Sequence, residues 1–250
     1  MFTKRLSFKN ESGFVLAARL DMPDKEKPIA YALFSHCFTC SKDHKAAVFV
    51  SESLTRERIA VMRFDFTGLG DSEGDFTETN FSSNVVDLIA AATFLQNDFA
   101  APKLLIGHSL GGAAVIKAAG MIPSSKAVAT IATPFSPSHV MTHFDYEKVL
   151  AEGIAEVTLL GNTVEITKQF VEDVSKTDIE KDIRNLNRAL LVMHAPGDRI
   201  VGIEHASRIF QTARHPKSFV SLDDADHLLS SKTDAFYVGG IIAAWSKKYL

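Results

Sequence analysis

The chain has 250 residues, 27 basic against 30 acidic side chains, a net charge of -3, and a hydrophobic fraction of 46%. That length and apolar share support a sizeable core, while the near-balanced charge excludes the basic footprint of a nucleic-acid binder. No stretch approaches the roughly 20 apolar residues that cross a bilayer, and the alternating start Met1–Asn10 lacks the apolar core of a signal peptide, so no membrane contact is expected.

In chain order, Lys4–Phe8 and Phe14–Asp21 read as two strands joined by a turn at Asn10-Glu11-Ser12-Gly13. Ile29–Ser35 is a continuous apolar run, the mark of a strand buried on both faces. A helix over Lys42–Arg58, a second buried strand over Ile59–Phe64, a glycine-rich loop over Thr67–Gly74 and a helix over Asn80–Gln96 follow. Pro102 opens a strand over Lys103–Ile106, then come a helix over Ser109–Ala119 and a strand over Ala127–Ala132. The rhythm breaks at Thr133-Pro134-Phe135-Ser136-Pro137. From there to about Asn187 the chain turns polar and acidic, with a hairpin (Val157–Leu160, Val164–Thr167) and a helix over Lys168–Asn187. This stretch, approximately 136–187, is expected to lie over the sheet as a small cap. The rhythm resumes with a strand over Ala189–His194, a helix over Glu204–Thr212, a strand over Ser218–Leu222 and a last helix over Asp234–Tyr249. Repeated strand–helix units predict a single domain over 1–250 with a mostly parallel sheet and helices on both faces.

Gly107-His108-Ser109-Leu110-Gly111 fits the pattern G-x-S-x-G between an apolar strand and an Ala-rich helix. A serine on so sharp a turn needs small neighbours, and a helix N-terminus behind it aims amide N–H groups at a developing oxyanion. Ser109 is therefore read as a nucleophile. A hydroxyl needs a base, and the base an orienting carboxylate. His227 lies just after the last strand and Asp198 just after the strand ending at His194, both outside carboxyl ends of strands, where open α/β sheets build their sites. Asp223, Asp224 and Asp226 are rival acids on the loop of His227 itself and are assigned solvated roles. The oxyanion donors are expected to be the amides of Leu110 and, from the loop after the Ile29–Ser35 strand, Phe38. His36, Cys37, His108 and Phe135 are the expected pocket neighbours.

Cys37 and Cys40 form C-x-x-C, open to a redox or metal reading. Zinc would need two further ligands, and no second C-x-x-C exists. The alternative is a pair of small buried residues beside the site. Two cysteines so close together supply no disulfide framework, from which a cytoplasmic location is expected. His139 and His143 stand at i, i+4 without the Glu of H-E-x-x-H, which favours a surface or cap-pocket role over a metal pair.

The chain resembles α/β-hydrolases of the dienelactone-hydrolase and esterase kind across essentially its whole length. The resemblance is carried by Gly107–Gly111, by the loop Arg63-Phe64-Asp65-Phe66-Thr67-Gly68-Leu69-Gly70-Asp71-Ser72, by Gly197-Asp198 and by Ala225-Asp226-His227. It implies an α/β-hydrolase fold in which the Arg63 loop shapes the backbone without catalysing. A closer similarity is to the hydrolase half of bacterial proteins that fuse such a domain to an OsmC-type peroxide-reductase domain. It rests on Phe34–Asp43 and Asp75–Asn84 and offers an OsmC-type domain as partner. Where many members have His-Gly in the oxyanion loop, this chain has His36-Cys37. The expected function is a serine hydrolase that needs no metal or cofactor and cleaves a small-molecule ester, thioester or activated amide through an acyl-serine. The alternative is a non-catalytic or redox-linked module acting with a partner domain.

Overall fold

The computed structural model of the chain describes residues 1–24, 26–159 and 161–250. Strands β1 (Phe2–Lys9) and β2 (Val15–Met22) form the expected antiparallel hairpin. The succession β3 (Ala30–Ser35), α1 (Lys45–Arg56), β4 (Ile59–Phe64), α2 (Phe81–Asp98), β5 (Leu104–His108), α3 (Leu110–Ala119) and β6 (Ala127–Ile131) follows. Helix α2 starts where a capping box forms: Asn80 accepts from the Ser83 amide and the Ser83 hydroxyl oxygen accepts from the Asn80 amide.

After β6 the chain leaves the sheet. It passes through a 3-10 turn at Pro137–His143, α4 (Tyr146–Glu152), the antiparallel pair β7 (Ile154–Leu159) and β8 (Asn162–Thr167), and the short helices α5 (Lys168–Lys176) and α6 (Glu180–Arg184). It returns through β9 (Ala189–His194), α7 (Ile203–Thr212), β10 (Lys217–Ser221) and α8 (Lys232–Ser246). Two departures from the sequence reading fall in this excursion. The single helix expected over Lys168–Asn187 is broken at Thr177, whose backbone is extended, and Asp178 accepts from the Glu180 amide to start the next turn. Helix α4 was not foreseen, although Asp145 caps its start and Gly153, at φ +87°, ends it. Leu160, the end of the expected strand Val157–Leu160, lies outside the described residues.

The eight-stranded sheet has the order β1-β2-β4-β3-β5-β6-β9-β10. Pairings β1–β2 and β2–β4 are antiparallel and all later ones are parallel. Side chains alternate between two apolar cores, as the period of two in a strand dictates. Leu33, Leu105, Val128 and Leu190 face the core covered by α2, α3 and α7. Phe34, Ile106, Ala129 and Leu191 face the core covered by α1 and α8. The fold is the expected α/β-hydrolase architecture. Its consequence for function is positional: β3, β5, β6, β9 and β10 run parallel, so the loops that follow them emerge along one edge.

Candidate active site

Ser109 fills the step between β5 and α3 at φ 54° and ψ -126°, a backbone state that strains any residue with a Cβ. The strand on one side and the helix on the other over-determine it: the Ser109 amide donates to the Ile131 carbonyl at 2.8 Å, and the Gly112 amide donates to the Ser109 carbonyl at 2.9 Å. The glycines beside it are spatial necessities. A Cβ on Gly107 would overlap the backbone of Gly111 and Gly112, one on Gly111 would strike the His36 and Ser35 carbonyl oxygens, and one on Gly112 would enter the Thr133 side chain.

The structure brings Ser109, His227 and Asp198 into one hydrogen-bonded chain. The Ser109 hydroxyl donates to His227 Nε2 at 3.0 Å, and His227 Nδ1–H donates to Asp198 Oδ2 at 2.8 Å. Asp198 is further held by the amides of Ile200 and Val201, which donate to Oδ1 at 2.8 and 3.0 Å. Burial opposes ionisation of Asp198. The His227 hydrogen bond and charge, with the two amides, outweigh it and hold the carboxyl below the usual range. All three groups are buried, with Ser109 8% exposed at the base of a cavity. Asp223, Asp224 and Asp226 are exposed, and Asp223 and Asp226 accept only from their own loop (Ser221 hydroxyl and Ser230 amide).

The amides of Phe38 and Leu110 have no acceptor among the turn, loop and cap hydrogen bonds of the described residues. The Phe38 loop is held from behind by charge. Lys42, 2% exposed, donates from its amide and its ammonium to Asp65 at 2.6 and 2.7 Å and from its ammonium to Asp71 at 2.6 Å. Gly70, at φ +56°, leaves room for that carboxylate, and Arg63 ties the Lys42 carbonyl to Asp21. The loop running from Arg63 to Ser72 thus anchors the chain that carries Phe38, a role its resemblance to the family implied only in outline.

One sequence expectation about this loop is corrected. Cys37 and Cys40 are joined by a disulfide. The spacing alone did not reveal that the segment folds back as a tight turn. Thr39 adopts φ +60°, the Cys40 amide donates to the Cys37 carbonyl at 3.1 Å, and the Cα atoms come within 5.3 Å, inside the range a bridge spans. This bridge spans three residues and is no framework for the fold, but it removes the picture of two unlinked small residues beside the site. No helix among the described residues is long and apolar enough to cross a membrane.

The pocket expectations also change. The cavity over Ser109, about 230 Å³, is lined by Phe38, Val140, Leu159, Ile200 and Val201 with His139 and His143. His36 and Cys37 instead border a separate crevice of about 10 Å³ with Phe66 and Phe81. His108 is turned under the elbow, where Nε2–H donates to the His227 carbonyl at 2.7 Å, and burial lowers its pKa to about 3. Phe135 is buried, with Arg208 4.0 Å over its ring and its amide donating to His205 Nδ1 at 3.0 Å. Phe170 belongs to the core shared with the sheet, and Met141 and Phe144 pack half-buried against it. His139 and His143 do reach the cavity. His139 Nε2–H donates to the Ile200 carbonyl at 2.9 Å, while His143 Nε2 is buried without a partner among the described residues. The i, i+4 spacing signalled this shared face; nothing local signalled Ile200 and Val201, which reach the cavity because their amides bind Asp198.

Against known proteins, the family described as "Alpha/beta hydrolase family" matches residues 32–237. An esterase domain from a Rhodothermus marinus protein is similar over 100% of this chain and 99% of its own, with 49% identity and a TM-score of 0.83. Est1E from Butyrivibrio proteoclasticus, solved with ferulic acid bound, has a TM-score of 0.85 at 19% identity over 98% of both chains, a likeness of fold. The mitochondrial palmitoyl-protein thioesterase ABHD10 of Rattus norvegicus is 29% identical over 112 residues, which make up 45% of this chain and 36% of that protein.

Proposed function

The chain belongs to the alpha/beta hydrolase family, and on that premise we propose that it is a serine hydrolase cleaving a carboxylic ester, thioester or activated amide through an acyl-Ser109 intermediate. The observation that carries the proposal is the continuous hydrogen-bonded chain from Asp198 through His227 to Ser109. His227 Nε2 takes the hydroxyl proton as Ser109 Oγ attacks the acyl carbon, and Asp198 stabilises the imidazolium so formed. The free amides of Leu110 and Phe38 donate to the oxyanion, a contribution that grows as charge develops. His227 then protonates the departing alcohol, thiol or amine, and in the second half-reaction draws a proton from water that attacks the acyl carbon.

The segment between β6 and β9 acts as a cap and supplies the acyl pocket. Its cavity of about 230 Å³ is walled chiefly by apolar side chains. It lies below the roughly 300–1,000 Å³ of sites that enclose drug-sized ligands, which favours a short or medium acyl group with an apolar part. The esterase neighbour from Rhodothermus marinus supports ester cleavage.

Ser109→Ala is expected to lower turnover of p-nitrophenyl esters by at least about 10³-fold and to abolish labelling by a fluorophosphonate probe, with the far-UV circular dichroism unchanged. Labelling that survives in the variant, or turnover that does, sinks the assignment. A series of acyl lengths read as kcat/KM tests the pocket: a maximum among long chains would overturn the size limit.

A further inference from the structure

The Cys37 and Cys40 side chains do not react in the proposed hydrolysis, yet Cys37 sits beside a histidine from the far end of its own loop and another from the end of β5. Cys37 lies in the loop after β3, His44 precedes α1 and His108 ends β5. One ligand atom of each, the Cys37 sulfur and a ring nitrogen of His44 and of His108, lies within 4.8 Å of the other two. Bonds of about 2.3 Å to sulfur and 2.1 Å to nitrogen place ligands about 3.6 Å apart around a tetrahedral zinc ion. Closing the trio on an ion thus takes about 1 Å of side-chain movement.

Two further observations point to a ligand. His44 Nδ1 is buried with no hydrogen-bond partner among the described residues, a costly state for a polar atom. His108 Nε2–H donates to the His227 carbonyl, which leaves Nδ1 with its lone pair. A metal-binding histidine is oriented in the same manner, by donating its other N–H to a carbonyl. What blocks the trio is the bridge itself, since a disulfide sulfur is not the thiolate that soft divalent cations prefer.

We propose that Cys37, His44 and His108 form a thiol-dependent site for a zinc-like divalent cation, closed while Cys37 is bonded to Cys40 and opened by reduction. A dithiol donor breaks the S–S bond. Each sulfur gains one electron and one proton, and the donor closes its own disulfide. The cation then binds as the Cys37 thiol proton passes to solvent, with both imidazoles neutral and a fourth position left for water. Because His108 adjoins Ser109 and holds the His227 loop, an occupied site pulls on the backbone of both groups. The inference does not rest on the proposed hydrolysis, since binding is measured without it.

The test is equilibrium dialysis of the full chain against Zn²⁺ in four forms. These are the oxidised protein, the protein reduced with a phosphine and desalted, Cys40→Ser, and reduced His44→Asn. The reduced protein and Cys40→Ser, whose Cys37 has no partner to bridge, are expected to take up one ion per chain. The oxidised protein is expected to take up none. His44→Asn should bind more than about 10-fold more weakly than the reduced chain while keeping its metal-free hydrolysis unchanged. Equal uptake by oxidised and reduced protein, no uptake by Cys40→Ser, or undiminished affinity in His44→Asn would each overturn the site. Activity of the reduced chain with a chelator and with Zn²⁺ separates the loss of the bridge from occupation of the site. A fall of turnover that appears only with Zn²⁺ is the expected outcome; turnover unmoved by a bound ion would overturn the coupling to Ser109 and His227.

Discussion

The two walls of the cavity are made in different ways. The wall that carries Ser109, Asp198 and His227 grows from the carboxyl ends of the fully buried β5 and β9 and of the edge strand β10, and each side chain is fixed by two or more hydrogen bonds or by glycine-tight packing. The wall that carries His139, His143 and Leu159 comes from a 3-10 turn, a two-stranded pair and short helices, whose buried side chains such as Val140, Phe170 and Val174 join the core under α2 and α3. A lone two-stranded pair is marginal by itself, and the ion pairs on α5 and α6 are exposed pairs one turn apart. Under the proposed hydrolysis the difference separates two tasks: bond-making geometry needs a scaffold that cannot shift, whereas shape selection is served by a segment that tolerates change.

The largest effect that would break this contrast lies at the anchor of the Phe38 loop. Lys42→Met leaves the Asp65 carboxyl fully buried and short of its partner. A loss of about 3–5 kcal/mol in unfolding free energy is expected, read from urea denaturation. A loss below 1 kcal/mol would show that water replaces the ammonium and that the anchor is dispensable. His205, at the joint of the two walls, gives a smaller and pH-dependent effect. Burial, then the neighbouring His139 charge, lower its pKa to about 4, and its Nδ1 must stay unprotonated to accept from the Phe135 amide. An unfolded histidine titrates near 6.5, so between pH 6.5 and 4 the unfolded chain binds more protons. Stability is present above that window and is lost as pH falls through it, by about 3 kcal/mol for this group. His205→Gln should flatten the acid limb of a stability–pH curve by that amount; an unchanged slope would remove His205 from the joint. The smallest effect is on the second wall. Arg184→Ala removes an exposed pair with Glu180 and should shift unfolding by less than about 0.5 kcal/mol.

The same division decides what was legible in the sequence. Ser109 and Asp198 could be placed because each follows a strand whose apolar run announces it, whereas His227 follows the mixed, half-exposed β10 and is placed by its loop position and by chain order. Buried strands and capped helices carry their signals locally, as at Asn80 and Ser83. The excursion was legible only as a change of composition. Its break at Thr177 and the helix from Tyr146 depend on short cap signals that a polar stretch contains in many places. The pocket residues were misassigned for a different reason. His36, Cys37 and Phe135 are near Ser109 along the edge, but the direction of each side chain is set by a turn, by a bridge or by contact with α7, and these are facts of three-dimensional packing. The Cys37–Cys40 bridge belongs to the same class, because it follows from the left-handed backbone at Thr39.

The crowding around Gly107, Gly111 and Gly112 has a consequence for anyone screening variants of this chain. Backbone and the Thr133 side chain already occupy the space that any larger residue would need there. Colonies inactivated at these positions should therefore also lose soluble protein, and an activity screen alone will confuse misfolding with lost chemistry. At Asp198 and His227 the two losses come apart, so inactive yet abundant protein is the signature to collect.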